Sequence, residues 1–166
     1  MKTGTILKEI LSEVKPRLEQ ITESGSSVKP APDKWSKKEI LGHLIDSASN
    51  NHQRFVRAVS KDDLVFQGYR QEEWVQLQDY QHAGWNFLVE LWYNFNLLLA
   101  TVMDGIPEEV KKRERESHNL DQVAWKPVPK EKPATLDYFM KDYTGHLEHH
   151  IRQVLPDYEP RMIGKY

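Results

Sequence analysis

Trp35-Ser36-Lys37-Lys38-Glu39-Ile40-Leu41-Gly42-His43-Leu44-Ile45-Asp46-Ser47 opens the helix from which the fold is read. Ser36 and Glu39 have the spacing of a capping box. The Ser36 hydroxyl can accept from the backbone N–H three residues on, and the Glu39 carboxylate can reach back to the N–H of Ser36. Trp35, just before the cap, is placed to staple onto Ile40. Beyond the cap, Leu41, Leu44, Ile45, Ala48, Phe55, Val56 and Val59 form one apolar stripe on a helix running to about Ser60. At ~100° per residue, His43 falls well away from that stripe, beside Asp46, Ser47, Asn50 and Arg54. The helix must then bury two faces, its polar side lining an internal cleft.

Three other segments show the same period. Residues 3–22 carry Ile6, Leu7, Ile10, Leu11, Val14, Leu18 and Ile21, with Pro16 placed to kink the helix. Residues 83–104 carry Trp85, Leu88, Val89, Trp92, Phe95, Leu99 and Val102. Residues 135–155 carry Leu136, Met140, Leu147, Ile151 and Val154, with Pro156 marking the end. Between them, Lys29–Lys34 reads as a stiff extended connector. Residues 61–82 have little periodicity beyond a turn at Phe66–Tyr69 and a short helix at 71–79 carrying Trp74. Pro107-Glu-Glu opens another short turn. Residues 111–133 are charged and then proline-rich, and a loop of that length is often functional. The tail from 157 to 166 has no period. No strand alternation appears, so the expectation is an all-α four-helix bundle forming a single domain over residues 1–166.

Composition narrows the function classes. The formal charge is −2, with the two signs mixed along the chain and no basic patch of the kind nucleic acid requires. No stretch approaches the ~20 apolar residues that span a bilayer. The expected protein is therefore cytoplasmic, with neither nucleic acid nor membrane as partner. There is no cysteine, which removes disulfides, thiolate nucleophiles and cysteine-held zinc. A metal would have to be held by His, Asp or Glu.

His146 and His150 in the last helix are four residues apart, so their rings share one face about a turn apart. Two histidines so placed chelate a divalent ion in metalloprotease helices. A third ligand would have to come from His43, His52, His82 or His118. His52 lies on an apolar stripe, where a hydrogen-bonded core histidine is the plainer reading. His82 begins a helix and His118 sits in a charged loop, both ordinary surface positions. His43 has small and polar neighbours in Gly42, Asp46 and Ser47, which leave room for a pocket. The residues alone leave the choice open.

Three stretches together resemble the DinB/YfiT-like superfamily: Trp35-Ser36 to His43-Leu44, Gly68-Tyr69 followed by Trp74, and His146-x-x-His149-His150-x-x-Gln153. The resemblance implies an up-down-down-up four-helix bundle, often a homodimer. It also implies a divalent metal, zinc or nickel, held by His43, His146 and His150. The implied activities are metal-dependent hydrolysis and thiol-dependent S-transfer, in which a water or a low-molecular-weight thiol is activated against a small-molecule electrophile. Asp46 and Asp142 are candidates to orient the ligand histidines. Asp46 or Glu148 would serve as general base, Arg54 would take an anionic part of the substrate, and Tyr69 and Trp74 would cap the pocket. The competing readings are a non-enzymatic metal-binding or stress-response module and a dimeric interaction protein.

Overall fold

The computed structural model describes residues 2–164. Its elements are α1 (Thr3–Glu19), α2 (Glu23–Ser26), α3 (Lys37–Ala58), α4 (Gln71–Leu77), a 3-10 turn (Tyr80–His82), α5 (Trp85–Gly105), α6 (Glu108–Lys112), α7 (Leu120–Val123) and α8 (Leu136–Val154). The capping box forms at the head of α3. Ser36 Oγ accepts from the N–H of Glu39 at 3.2 Å, and Glu39 Oε2 accepts from that of Ser36 at 2.8 Å.

Contacts between helix ends fix the topology. Asp104, late in α5, accepts from the N–H of Thr5 at the start of α1, while Trp85, early in α5, donates through Nε1 to the carbonyl of Leu18. These two helices are therefore antiparallel. Glu23 holds both Lys38 and the N–H of Trp85, so α3 and α5 start side by side and run the same way. Phe55, late in α3, meets Phe139, early in α8, with ring centres 5.6 Å apart, so those two oppose one another. Arg17, late in α1, pairs with Asp157 just past α8. The order is up-down-down-up, with α1 and α3 on opposite corners, each packed against both α5 and α8. Leu7, Leu11, Leu41, Leu44, Phe55, Trp85, Trp92, Leu99, Phe139 and Leu147 fill the middle with no exposure above a few per cent. Each such side chain contributes about 1.5–3 kcal/mol by leaving water.

Close backbone approach is bought with glycine at two places. A Cβ on Gly4 would lie 2.2 Å from the carbonyl oxygen of Ala100, and one on Gly42 would lie 2.1 Å from the Tyr80 ring. The second contact lets the 3-10 turn press onto α3.

The structure departs from the sequence reading in instructive ways. α1 runs unbroken through Pro16 but stops at Glu19, because the Thr22 hydroxyl accepts from the N–H of Gly25 and starts α2. Val56 and Val59, assigned to the buried stripe of α3, are exposed. The loop from 111 to 133 is ordered by polar contacts that leave no hydrophobic period. Isolated bridges join Leu64 to His118 and Arg115 to Ala134. His118 is buried, with Nε2 2.7 Å from the Lys132 carbonyl and Nδ1 accepting from the N–H of Leu120. Arg115 donates to the carbonyls of Ala58, Val110 and Arg113. Glu148 is corrected as well: its carboxylate is wholly buried and accepts from Tyr158 Oη, the N–H of Arg161 and the N–H of Met162. It latches the tail and is not available as a base. Positions 165 and 166, read with the tail as aperiodic, lie outside the described residues. No helix among the described residues is long and apolar enough to cross a membrane.

Candidate metal centre

Antiparallel packing of α3 on α8 sets the start of one against the end of the other, and this joins the histidines. Nε2 of His43 lies 3.4 Å from Nε2 of His146. Ring centres are 4.8 Å apart for His43 and His150 and 4.6 Å for His146 and His150. One nitrogen from each ring lies within 4.8 Å of the others. His43, far from the apolar stripe of its own helix, is only 1% exposed, so α3 buries both of its faces. His52 instead stands edge-on to Phe95, His82 is exposed against Asp79, and His118 serves the loop.

The donor set fits a divalent ion. Bonds of ~2.0–2.1 Å from a tetrahedral zinc place neighbouring nitrogens ~3.4 Å apart, the separation seen for His43 and His146. His150 is the more widely spaced of the three, with all three ligand atoms within 4.8 Å of one another. Nδ1 of His43 is buried without a hydrogen-bond partner, and its Nε2 faces only another imidazole. Burial pulls His43 down to about 3, with His150 adding to the effect. Burial likewise holds His146 well below the ordinary histidine range and lowers His150. All three rings are therefore neutral near pH 7, the form in which imidazole binds metal.

Gln153 orients one of them. Its Oε1 lies 3.0 Å from Nδ1 of His150, which leaves Nε2 free to face the cluster. Two tryptophans close the sides. The Trp35 ring is 5.2 Å from that of His43. The Trp125 ring lies 6.2 Å from His146 and 5.2 Å from the exposed His149. Trp125 escaped sequence reasoning because it sits in the proline-rich loop, whose length was the only signal.

The two aspartates do other work than orienting histidines. Asp46 Oδ1 accepts from Tyr80 Oη at 2.7 Å and from Gln78 Nε2 at 2.6 Å, and Asp46 makes no bond to any of the three rings. Burial raises its pKa, so less of it is in the charged form at a given pH, and its Oδ1 is already committed to Tyr80 and Gln78. Asp142 accepts from the N–H of Trp125 and of Lys126, each at 2.8 Å, and so ties the loop to α8. It fixes the tryptophan that borders His146.

A cavity of about 370 Å³ opens from His43 and His146 along the groove between α3 and α8. Ser47, Asn51, Arg54 and Tyr69 supply its polar wall, and Val123, Trp125 and Phe139 its apolar wall. Burial pushes the Tyr69 hydroxyl up to about 12, which keeps it protonated. The Trp74 ring is tilted against Tyr69, with ring centres 5.0 Å apart, and Trp74 does not line the cavity. His150 faces a second groove, shared with Trp35 and Gln153.

The "Putative metal-dependent hydrolase YfiT" of Bacillus subtilis (strain 168) is 24% identical over 153 residues, spanning 90% of this chain and 78% of that protein. The "Putative metal-dependent hydrolase BcerKBAB4_2443" of Bacillus mycoides (strain KBAB4) is 25% identical over 87 residues, spanning 46% and 50%. A solved structure of YfiT from Bacillus subtilis, described as a probable metal-dependent hydrolase with an unusual four-helix bundle topology, superposes with a TM-score of 0.74. It covers 93% of this chain and 82% of that one at 19% identity, which speaks for the fold alone. The model of the DinB superfamily matches residues 6–154. That span takes in the body of all four long helices and each of the three converging histidines, and the chain belongs to the DinB superfamily.

Proposed function

We propose that this chain is a metal-dependent enzyme in which His43, His146 and His150 hold one divalent ion, zinc or nickel, and in which a small-molecule substrate occupies the adjoining cavity. The observation that carries the reading is the convergence of three buried or half-buried, neutral imidazoles, two of which, His43 and His146, line that cavity. A purely structural zinc site is closed by four protein ligands, whereas the group found among the described residues has three members. That contrast weighs against the non-enzymatic module. When bound, the ion supplies Lewis-acid activation of a water or small-thiol nucleophile.

The chain's own residues provide the rest. Gln153 holds the His150 ring, Trp35 and Trp125 limit access of water, and the protonated Tyr69 can donate to a substrate oxygen. Among the described residues, the cavity wall offers no free general base. Its one carboxylate, Asp142, already accepts two backbone N–H bonds. That favours thiol S-transfer over hydrolysis, since a thiol (pKa ~8.5) gives up its proton far more readily than water. The thiol must come from outside, because the chain has no cysteine.

The same reading has the protein acting as a homodimer. Phe87, Leu91, Phe95, Leu98 and Val102 share one side of α5, and Phe87 and Leu98 are 63% and 49% exposed. A stripe of this kind is self-complementary in the way a two-fold interface needs.

The test is metal analysis of purified protein followed by paired assays. A small thiol with a chromogenic electrophile is set against ester and amide hydrolysis. Thiol transfer that needs the metal and disappears in His43→Ala supports the proposal. Turnover that survives both chelation and this substitution sinks it.

A further inference from the structure

Arg54 is a buried cation with no counter-ion among the described residues. It is 7% exposed and lines the same cavity as His43 and His146. Its Nη1 donates to Asn51 Oδ1 at 3.4 Å and its Nη2 to the carbonyl of Gln67 at 2.7 Å. The guanidinium lies over the Phe139 ring, 6.0 Å from its centre. Among the described residues no carboxylate is within ion-pair distance, and the titratable group that acts on it is the neutral Tyr69. Burying a charge is costly unless it is paired. Burial accordingly pulls the Arg54 pKa below its ordinary value. Two of the five N–H donors are used, and the rest suffice for a forked contact.

We propose that Arg54 completes its charge with a carboxylate on the substrate, so that the cavity takes a bifunctional molecule with its reacting group at the histidines and a carboxylate at the far end. This rests on the reading of the site as an enzyme's. Phe139 and His146 are seven residues apart on α8, which sets the two ends of the ligand on the order of 10 Å apart. A carboxylate suits the wall better than a phosphate. Among the described residues lining the cavity Arg54 is the one Lys or Arg, so the positive charge there matches a single negative one. Ser47, Asn51 and Tyr69 stand on the same wall as neutral hydrogen-bonding groups. A volume of about 370 Å³ is at the small end of ligand sites, as a short bifunctional acid requires.

The experiment is a titration followed through the Nε–H resonance of Arg54, on metal-free and on zinc-loaded protein, with butyrate, adipate and inorganic phosphate as probes. In metal-free protein butyrate should bind and move that resonance. Arg54→Gln should weaken butyrate binding, read by calorimetry, about tenfold or more, the usual worth of a charge-assisted contact. Asn51→Asp keeps the side-chain shape and sets an internal carboxylate beside the guanidinium. It should abolish butyrate binding in a protein that still folds, even if Arg54→Gln does not. On zinc-loaded protein adipate should outbind butyrate by more than the twofold that its two ends give statistically, and Asn51→Asp should erase the gain. Zinc affinity, read by competition with a chromophoric chelator, should be the same in all three proteins. Failure to bind zinc would count against the enzyme reading while leaving the metal-free titration to judge Arg54. Equal butyrate affinity in wild type and Asn51→Asp, no binding by wild type, or a preference for phosphate would each overturn the proposal.

Discussion

Nε2 of His43 and Nε2 of His146 face each other 3.4 Å apart, although 103 residues of chain separate them. Two neutral imidazoles can share that contact only with a proton or a cation between them. The alternative, charging either ring, is opposed by burial.

That opposition has a readable pH signature. In the unfolded chain His43 titrates near 6.5, and in the fold at about 3. Below 6.5 the unfolded state binds more protons, so stability falls as pH drops from 6.5 toward 3. His146 and His150 are lowered too and add to the same slope. The raised pKa values of Asp46 and Asp142 act oppositely, since protons bound by the fold favour it as pH falls. Urea melts of metal-free protein at pH 8, 6.5, 5 and 4 should therefore show a loss of stability beginning at 6.5. The loss should be smaller in His43→Gln, and a flat profile across 6.5 to 5 would contradict the burial of these rings.

Gly42→Ala tests the approach of the 3-10 turn. In an ordinary helix interior this change gains ~1 kcal/mol. Here the new methyl meets the Tyr80 ring at 2.1 Å, so overpacking of roughly 1–3 kcal/mol should dominate. Thermal unfolding should show a lower midpoint, and a rise would mean that Tyr80 moves aside freely.

Asp142→Asn tests the staple that holds Trp125. An asparagine oxygen can take one of the two N–H groups, and its amide opposes the other. The unpaired donor costs about 1–3 kcal/mol, offset in part because a neutral amide is easier to bury than a carboxylate. Amide exchange at residues 125 and 126 should quicken while that of α1 and α5 stays unchanged. Unaltered exchange at 125 would show that the loop does not depend on this aspartate.

Phe87→Glu together with Leu98→Glu tests self-association. Two charges placed on the exposed stripe of α5 should convert a dimer to a monomer in sedimentation equilibrium while leaving the helical circular dichroism intact. A wild-type protein that sediments as a monomer would remove the homodimer from the reading.

Much of this was legible in the residues. The helix periods gave the four long helices within a few positions, and the capping box placed the start of α3 correctly. The His146–His150 pair could be read from spacing alone, since four residues on a helix is a local relation. The choice of His43 could not be, because it depends on which corners of the bundle are neighbours. The polar loop network was also hidden. Arg115 and His118 look like surface residues in sequence, and only their carbonyl partners show that they are buried. Asp46 misled for a related reason. One turn from His43 it is close along the helix, yet Tyr80 and Gln78, more than thirty residues on, claim its carboxylate.

The parallel pairing of α3 with α5 has a cost in time. Parallel neighbours cannot be joined by a tight turn, so the segment after α3 must travel back the full length of the molecule before α5 can begin. Contacts between distant parts of a chain form slowly. When the first 135 residues have been joined, α1, α3 and α5 are complete in sequence while two of the three imidazoles are still to be added. The cluster can form only once α8 has been added, and in a fragment that stops before α8 His43 would lack both of its partners.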